Sequence, residues 1–321
     1  MLAARLEDWL TGFRQSDLRM PYFDDEGRDC TFADVLARAP ADAESRITPA
    51  LITARFNEVQ AAMAELKSRI AAAKLDALII VGDDQYELFH DQHMPAIALY
   101  YGATIRNGTK RPVADDDWYG RARMRRMEDH APVDYPCHAP LALALIEGLT
   151  EREFDVSAIS ALGDAQVEGH AYSFVHKWYL SGGDRPVVPI VPIFMNTYNP
   201  PNPPTPKRCA RFGAALKSVI DAYPEDLRVG LMASGGLSHF IVEEAMDRAI
   251  VDALRRKDIA WLEQLDPRRL KAGSSEIRNW IVIAAAATGL DLDWVSYTPA
   301  YRTPALTGTG LGFANWITRP A

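Results

Sequence analysis

Residues 228–240, RVGLMASGGLSHF, constrain this chain more than any other stretch. Val229, Leu231 and Met232 make the short apolar run of an internal strand, which Ser234, Gly235 and Gly236 end. Over residues 241–256 apolar side chains (Ile241, Val242, Ala245, Ala249, Ile250, Ala253, Leu254) recur at helical spacing. A strand passing through a Gly-Gly turn into a helix is a connection of open α/β sheets, whose ligands sit outside the carboxyl ends of the strands. The turn delivers His239 to that end. A lone histidine there is commonly a cap or packing residue. No Lys-Ser/Thr pair follows the glycines, as a phosphate loop would require.

The remaining pattern agrees with such a sheet. Residues 49–74 read as a long amphipathic helix with Ile52, Phe56, Val59, Met63 and Leu66 on one stripe, expected to lie on a sheet face. Residues 77–81 are a fully apolar strand, and residues 96–101 and 187–194 read as two more. Helices are expected over 136–148, 206–223 and from Ser274 onward. Strands alternating with helices predict an α/β fold: a mostly parallel central sheet flanked by helices on both faces. Residues 1–321 are expected to form a single catalytic α/β domain. Residues 1–13 read as a helix with no strand before it. The Gly- and Thr-rich tail YRTPALTGTGLGFANW is expected to be a folded-back loop or an oligomer contact.

With 321 residues and 48% hydrophobic content, the chain can bury a sizeable core. A net charge of −8 argues against a general nucleic-acid binder. Cys30, Cys137 and Cys209 are odd in number and far apart, so neither a disulfide framework nor zinc spacing is present. No apolar run is long enough to span a membrane and no secretory leader is expected, which makes reducing cytoplasm the expected compartment.

The candidate chemistry lies at strand ends. Gly82-Asp83-Asp84-Gln85 closes the 77–81 strand, with Glu87 just beyond. Adjacent carboxylates are costly unless a cation or a hydrogen-bond network accepts them; the alternative is an Asp-rich cap. His90 and His93 follow in a polar loop. Arg121, Arg123, Arg125 and Arg126 are either a solvated face or a cation supply for an anionic substrate. His170 and His176, six apart, do not share a helix face as an i, i+4 metal pair would. Asn196 ends the 187–194 strand and opens the proline-rich loop NTYNPPNPPTPKR, a candidate site wall. Glu276 follows Ser274 and Ser275, which suits a capped first helical turn. These residues imply a polar pocket of acid, amide and histidine, with its chemistry unspecified.

Six motifs then match one family in order: GDDQYELF, GHAYSFVHKW, MNTYNPPNPPTPKRC, ASGGLSHF, SEIRNW and TGTGLGFANW. Together they resemble the class III extradiol ring-cleavage dioxygenases. The similarity is greatest to the 3-O-methylgallate dioxygenase branch, within the superfamily of the protocatechuate 4,5-dioxygenase catalytic subunit. The resemblance implies a non-haem Fe(II), held by two histidines and a glutamate, that opens the ring of a gallate- or protocatechuate-like phenolic acid with O2. His239 matches the family's mobile acid/base histidine, Glu276 its carboxylate ligand, and His170 a second active-site histidine. Gln85 falls at a ligand histidine, with Glu87, His90 or His93 as substitutes. Asp84 and Asn196 are expected at the substrate.

Relatives open with a strand ending Ser-His-Ser/Thr-Pro-Met-Leu, so Met1-Leu2 is expected to follow a missing strand and its ligand histidine. A homodimer is expected. The alternatives are a metal-free partner subunit of a heteromeric enzyme, a binding protein of the same fold, or a metal-dependent hydrolase.

Overall fold

The computed structural model describes residues 2–183 and 186–318; the expectation about Met1 lies outside them. In chain order, a π-helical turn over Asp8–Gly12 leads into helix α1 (Phe13–Asp17), strands β1 (Tyr22–Phe23) and β2 (Asp29–Cys30), and helices α2 (Phe32–Ala37) and α3 (Pro49–Ala73). Strands β3 (Ala77–Asp83), β4 (Ile97–Tyr100) and β5 (Thr104–Asn107), helix α4 (Trp118–Met124), strand β6 (Val133–Pro136), helix α5 (Ala139–Glu151) and strand β7 (Ser157–Ile159) follow. The second half holds α6 (His170–Val175), β8 (Ile190–Met195), α7 (Pro206–Asp221), β9 (Val229–Ser234), α8 (Glu244–Arg256), α9 (Ile259–Leu262), α10 (Ile277–Ala286), β10 (Asp291–Tyr301) and β11 (Gly308–Ile317).

Among the described residues, five strands form the central sheet in the order β7-β4-β8-β3-β9. It is mostly parallel: β3 pairs in parallel with β8 and β9, and β4 with β7, while β4 and β8 run antiparallel. All seven residues of β3 are buried, which explains why its sequence is apolar without alternation. Ile79 and Val81 join one apolar cluster with residues of α5, α7, α8 and α10. Leu78 and Ile80 join a second with Ala171, Tyr172 and Val175 of α6.

One expectation is met on a second sheet, and one changes. Helix α3 has the expected start: the Thr48 hydroxyl accepts the Leu51 N–H, Pro49 opens the first turn, and Lys74 ends it in the left-handed region. Its buried Ile52, Val59 and Met63 do not lie on the central sheet. They cluster with Trp9 and Phe13 and with Ala300, Leu311 and Phe313 of β10 and β11, while Leu66 and Ile70 reach the second central cluster. The tail is no loop: β11 pairs antiparallel with β10 from Asp291↔Ile317 to Tyr301↔Gly308. Its glycines and threonines mask strand alternation in the sequence.

Helices α7 and α10 meet at Gly213, where an added Cβ would sit 2.1 Å from the Val282 carbonyl oxygen and 2.9 Å from Ala285 Cβ. Backbone cannot yield cheaply there. Gly213→Ala is expected to destabilise the fold by about 3 kcal/mol, the upper end for overpacking, read as a lowered urea midpoint with an unchanged slope.

Candidate metal centre and active-site cavity

Strand β3 ends at Asp83, and its parallel neighbour β9 ends at Ser234, with Gly82 opposite Ser234. The two strand ends therefore open side by side. The β9 end is held by α10: Asn279 Nδ2 donates to the Ser234 carbonyl at 3.0 Å and Trp280 Nε1 to the Gly235 carbonyl at 3.0 Å. The 3-10 turn Ala272–Glu276 precedes α10 and brings Glu276 to the same place. Glu276 Oε2 accepts the Gly236 N–H at 2.5 Å.

Asp83, His170 and Glu276 each offer a ligand atom, all within 4.8 Å of one another, close enough to hold one metal ion. The chemistry of the group fits a divalent cation, since two carboxylates and one imidazole supply hard oxygen and borderline nitrogen donors. Asp83 supports this directly. Its side chain is buried and its Oδ1 has no hydrogen-bond partner. Burial, and next the nearby Glu276 carboxylate, push the Asp83 carboxyl well above its usual range, against a lowering bond from Gln85. A cation between the carboxylates would relieve that repulsion.

Gln85 and Glu87, read in the sequence as candidate ligands, stand beside this group. Gln85 Nε2 donates to Asp83 Oδ2 at 3.0 Å and to Glu276 Oε1 at 3.4 Å, so its nitrogen bridges the carboxylates. Glu87 stands behind the histidine: its Oε2 lies 2.7 Å from His170 Nδ1 and accepts the His170 backbone N–H at 2.8 Å. Its Oε1 pairs with Arg126 Nη1 at 2.7 Å. Burial raises the Glu87 carboxyl and the Arg126 charge opposes the shift. A carboxylate can only accept, so the His170 proton lies on Nδ1 and Nε2 points toward the group, 3.7 Å from Asp83 Oδ1.

His239 sits across the group with Nε2 3.3 Å from Glu276 Oε1. Its Nδ1 lies 2.8 Å from the Leu237 carbonyl, which can only accept, so Nδ1 carries the hydrogen and Nε2 is the atom open to exchange. Burial is the largest influence on this ring and pulls its pKa down, but the Glu276 carboxylate and the Leu237 bond together outweigh it and the net shift is upward. Gly273 makes room for the ring, since a Cβ there would fall 1.8 Å from His239 Cδ2. Ser274, read as a helix cap, instead accepts the His239 N–H on its Oγ at 2.9 Å.

Gln85, Glu87, His170, His239 and Glu276 face a cavity of about 500 Å3, walled by Phe13, Phe174, Phe240 and Phe313 among others, with Asp83 buried behind them. Three arginines line it: Arg123, Arg126 and Arg302. Arg302 pairs with buried Asp17 at 3.1 Å. Among the described residues Arg123 forms no ion pair within 4 Å; its charge acts on Glu87 from further away, and its guanidinium lies 5.7 Å from the Tyr119 ring centroid. Arg278 is occupied elsewhere, donating to the carbonyls of Pro204, Leu270, Thr197 and Ser275.

The structure does not bring Asp84 or Asn196 to the cavity wall. Asp84 accepts the N–H groups of Leu88 and Phe89, a turn-closing role, and burial raises its carboxyl to about 6. The Asn196 amide binds its own loop, donating to Asn199 O at 2.6 Å and Asn202 Oδ1 at 2.7 Å. His90 and His93 are exposed, with His90 stacked on Tyr86. His176 is buried on Glu168 at 2.7 Å and stacks on Tyr135. The sequence reading singled out neither Asp83 nor His170 as a candidate metal ligand, although it noticed the paired acids and His170 as an active-site histidine, and it missed the Arg126–Glu87–His170 chain.

Comparison with known proteins gives the family of the chain. The family described as the catalytic LigB subunit of aromatic ring-opening dioxygenase matches residues 53–312, and the chain belongs to it. Over 33 residues the chain is 52% identical to a gallate dioxygenase of Pseudomonas putida, a match spanning 10% of this chain and 10% of that protein. A solved structure of an uncharacterized protein from Escherichia coli K12 covers 77% of this chain and 90% of its own, at 12% identity and a TM-score of 0.40, too distant to argue from. No helix among the described residues is long and apolar enough to cross a membrane.

The turn carrying His239 is fixed from behind by buried Asp247, which accepts the Ser238 N–H at 2.9 Å, Ser238 Oγ at 2.7 Å and Tyr297 O–H at 2.8 Å. Asp247→Ala orphans these donors and is expected to cost about 3 kcal/mol, the scale of one badly unsatisfied buried group. Chemical unfolding measures it.

Proposed function

We propose that this chain is an extradiol dioxygenase that opens the ring of a gallate- or protocatechuate-like phenolic acid with O2, using Fe(II). The observation that carries the reading is the close group of Asp83, His170 and Glu276, of which His170 and Glu276 line a cavity large enough for one aromatic ring, in a chain of the ring-opening dioxygenase family. Asp83, His170 and Glu276 would hold the metal, and Gln85, with its amide turned over, offers a carbonyl oxygen to the same ion. When bound, the metal supplies a common site for the phenolic substrate and O2. We read residues 1–321 as one catalytic α/β unit with helices over both sheet faces, working in the cytoplasm, as a homodimer.

The chain's own residues do the rest. His239 Nε2 is placed to take a phenolic proton, because Nδ1–H is committed to the Leu237 carbonyl. The apolar wall excludes water around the ring. Arg123, the cavity arginine with no carboxylate at ion-pair distance among the described residues, receives the substrate's carboxylate.

The test is oxygen uptake with gallate and protocatechuate after anaerobic loading with Fe(II), alongside bound-iron analysis. His239→Ala is expected to keep its iron and lose roughly 10²–10⁴-fold in turnover. Asp83→Ala and Glu276→Ala should each empty the metal site. Iron loss in His239→Ala, or stoichiometric iron in both carboxylate variants, would reassign the ligands. Absence of uptake with iron bound would leave a binding or partner subunit.

Arg123→Gln separates the substrate class from the chemistry. It should raise the apparent KM for carboxylated phenols by about tenfold and leave that for catechol unchanged, the loss of one charge-assisted bond. Equal KM changes for both, from steady-state oxygen uptake, would remove Arg123 from substrate recognition.

A further inference from the structure

We propose that Glu87 and Arg126 are positioning residues that aim His170 at the metal, an inference resting on the metal-site reading above. The three side chains form a continuous chain of short contacts: Arg126 Nη1 to Glu87 Oε1 at 2.7 Å, then Glu87 Oε2 to His170 Nδ1 at 2.7 Å. Glu87 Oε2 also takes the His170 backbone N–H at 2.8 Å, so one oxygen fixes both the ring and the start of α6. An imidazole with Nδ1–H tied to a carboxylate has one tautomer and one ring orientation left, with its Nε2 lone pair directed at the metal.

The backbone is shaped for this contact. Gly169 stands just before His170, and a Cβ there would meet Glu87 Oε2 at 2.8 Å. The glycine lets the carboxylate reach the His170 backbone N–H. Arg126 closes the chain from the other side. In the sequence it belongs to an arginine-rich stretch that reads as solvated, yet its side chain is only 11% exposed. It engages Glu87 through a single nitrogen, as a charge rather than a fork, so a lysine of suitable reach can replace it.

The experiment is titration of the metal-free full chain with Co(II) alone, followed by calorimetry and by the visible spectrum of the bound ion. Glu87→Gln, Arg126→Ala and Gly169→Ala are each expected to weaken Co(II) binding by about 10–100-fold, the usual effect of losing an outer partner of a ligand histidine. Each should also shift the Co(II) absorption bands. Arg126→Lys should recover most of the affinity and the wild-type spectrum, which a purely structural defect would not permit. Gly169→Ala changes no charge and so reports geometry alone. His170→Ala is the control for the underlying reading.

If wild-type chain takes no Co(II), or His170→Ala binds it as tightly, the metal site itself is wrong and the proposal falls with it. If His170→Ala loses the ion while Glu87→Gln and Arg126→Ala bind like wild type, the metal site stands and the positioning role is overturned. Loss as complete in Glu87→Gln as in His170→Ala, with normal binding in Arg126→Ala, makes Glu87 a ligand and overturns it equally.

Discussion

Two carboxylates buried in one pocket are the constraint on which the rest of this site depends. Asp83 is held at the end of a strand with no exposed residue, and Glu276 at the end of a turn sealed beneath α10. Water screens them less than it would at a surface, so each charge is costly and the two repel. Burial first, and next the Glu276 charge, raise the Asp83 carboxyl, and the Gln85 amide donating to both acids is a weak remedy. A divalent ion is a far stronger one. The site is therefore a fold feature as much as a catalytic one, since an arrangement this costly persists only where surrounding structure over-determines it.

The parallel sheet supplies that over-determination. Because β3 and β9 run side by side in the same direction, their carboxyl ends place Asp83 next to the Ser234–Gly236 turn with no loop of adjustable length between them. Helix α10 then fastens the turn through Asn279 and Trp280, and its preceding turn supplies Glu276. The Gly236 N–H returns a hydrogen bond to that carboxylate. Packing energy spread along β3, β9 and α10 sustains a local electrostatic cost that no single contact could offset.

Much of this was readable from residues 77–83 and 228–240, where unbroken apolar runs end in acids or glycines and the strand-end rule does the rest. Finer assignments needed the chain's return in space. Asp83, the last residue of β3, and Gln85 just beyond it face the centre, while Asp84 closes its own turn on Leu88 and Phe89. Glu87, Arg126 and His170 are brought together only by folding; no local pattern marks them, and Arg126 looks in the sequence like its solvated neighbours. Asn196 stood at a strand end as expected, but the proline-rich loop absorbs its amide. The β10–β11 hairpin stayed hidden because glycine and threonine carry little hydrophobic alternation.

The two histidines at the centre are held by one device with two different acceptors. Each commits its Nδ1–H and leaves Nε2 for the cavity: His170 to the Glu87 carboxylate, His239 to the Leu237 carbonyl. A carboxylate behind an imidazole strengthens its lone pair and suits a ring meant to stay on a metal. A neutral carbonyl fixes the tautomer while adding less basicity, which suits a ring meant to exchange a proton near neutral pH. On the reading proposed above, the division of labour between ligand and proton carrier is thus written in the atoms behind each ring rather than in the rings themselves. Sequence motifs mark both positions with the same residue type, so only the partner behind each imidazole separates their roles.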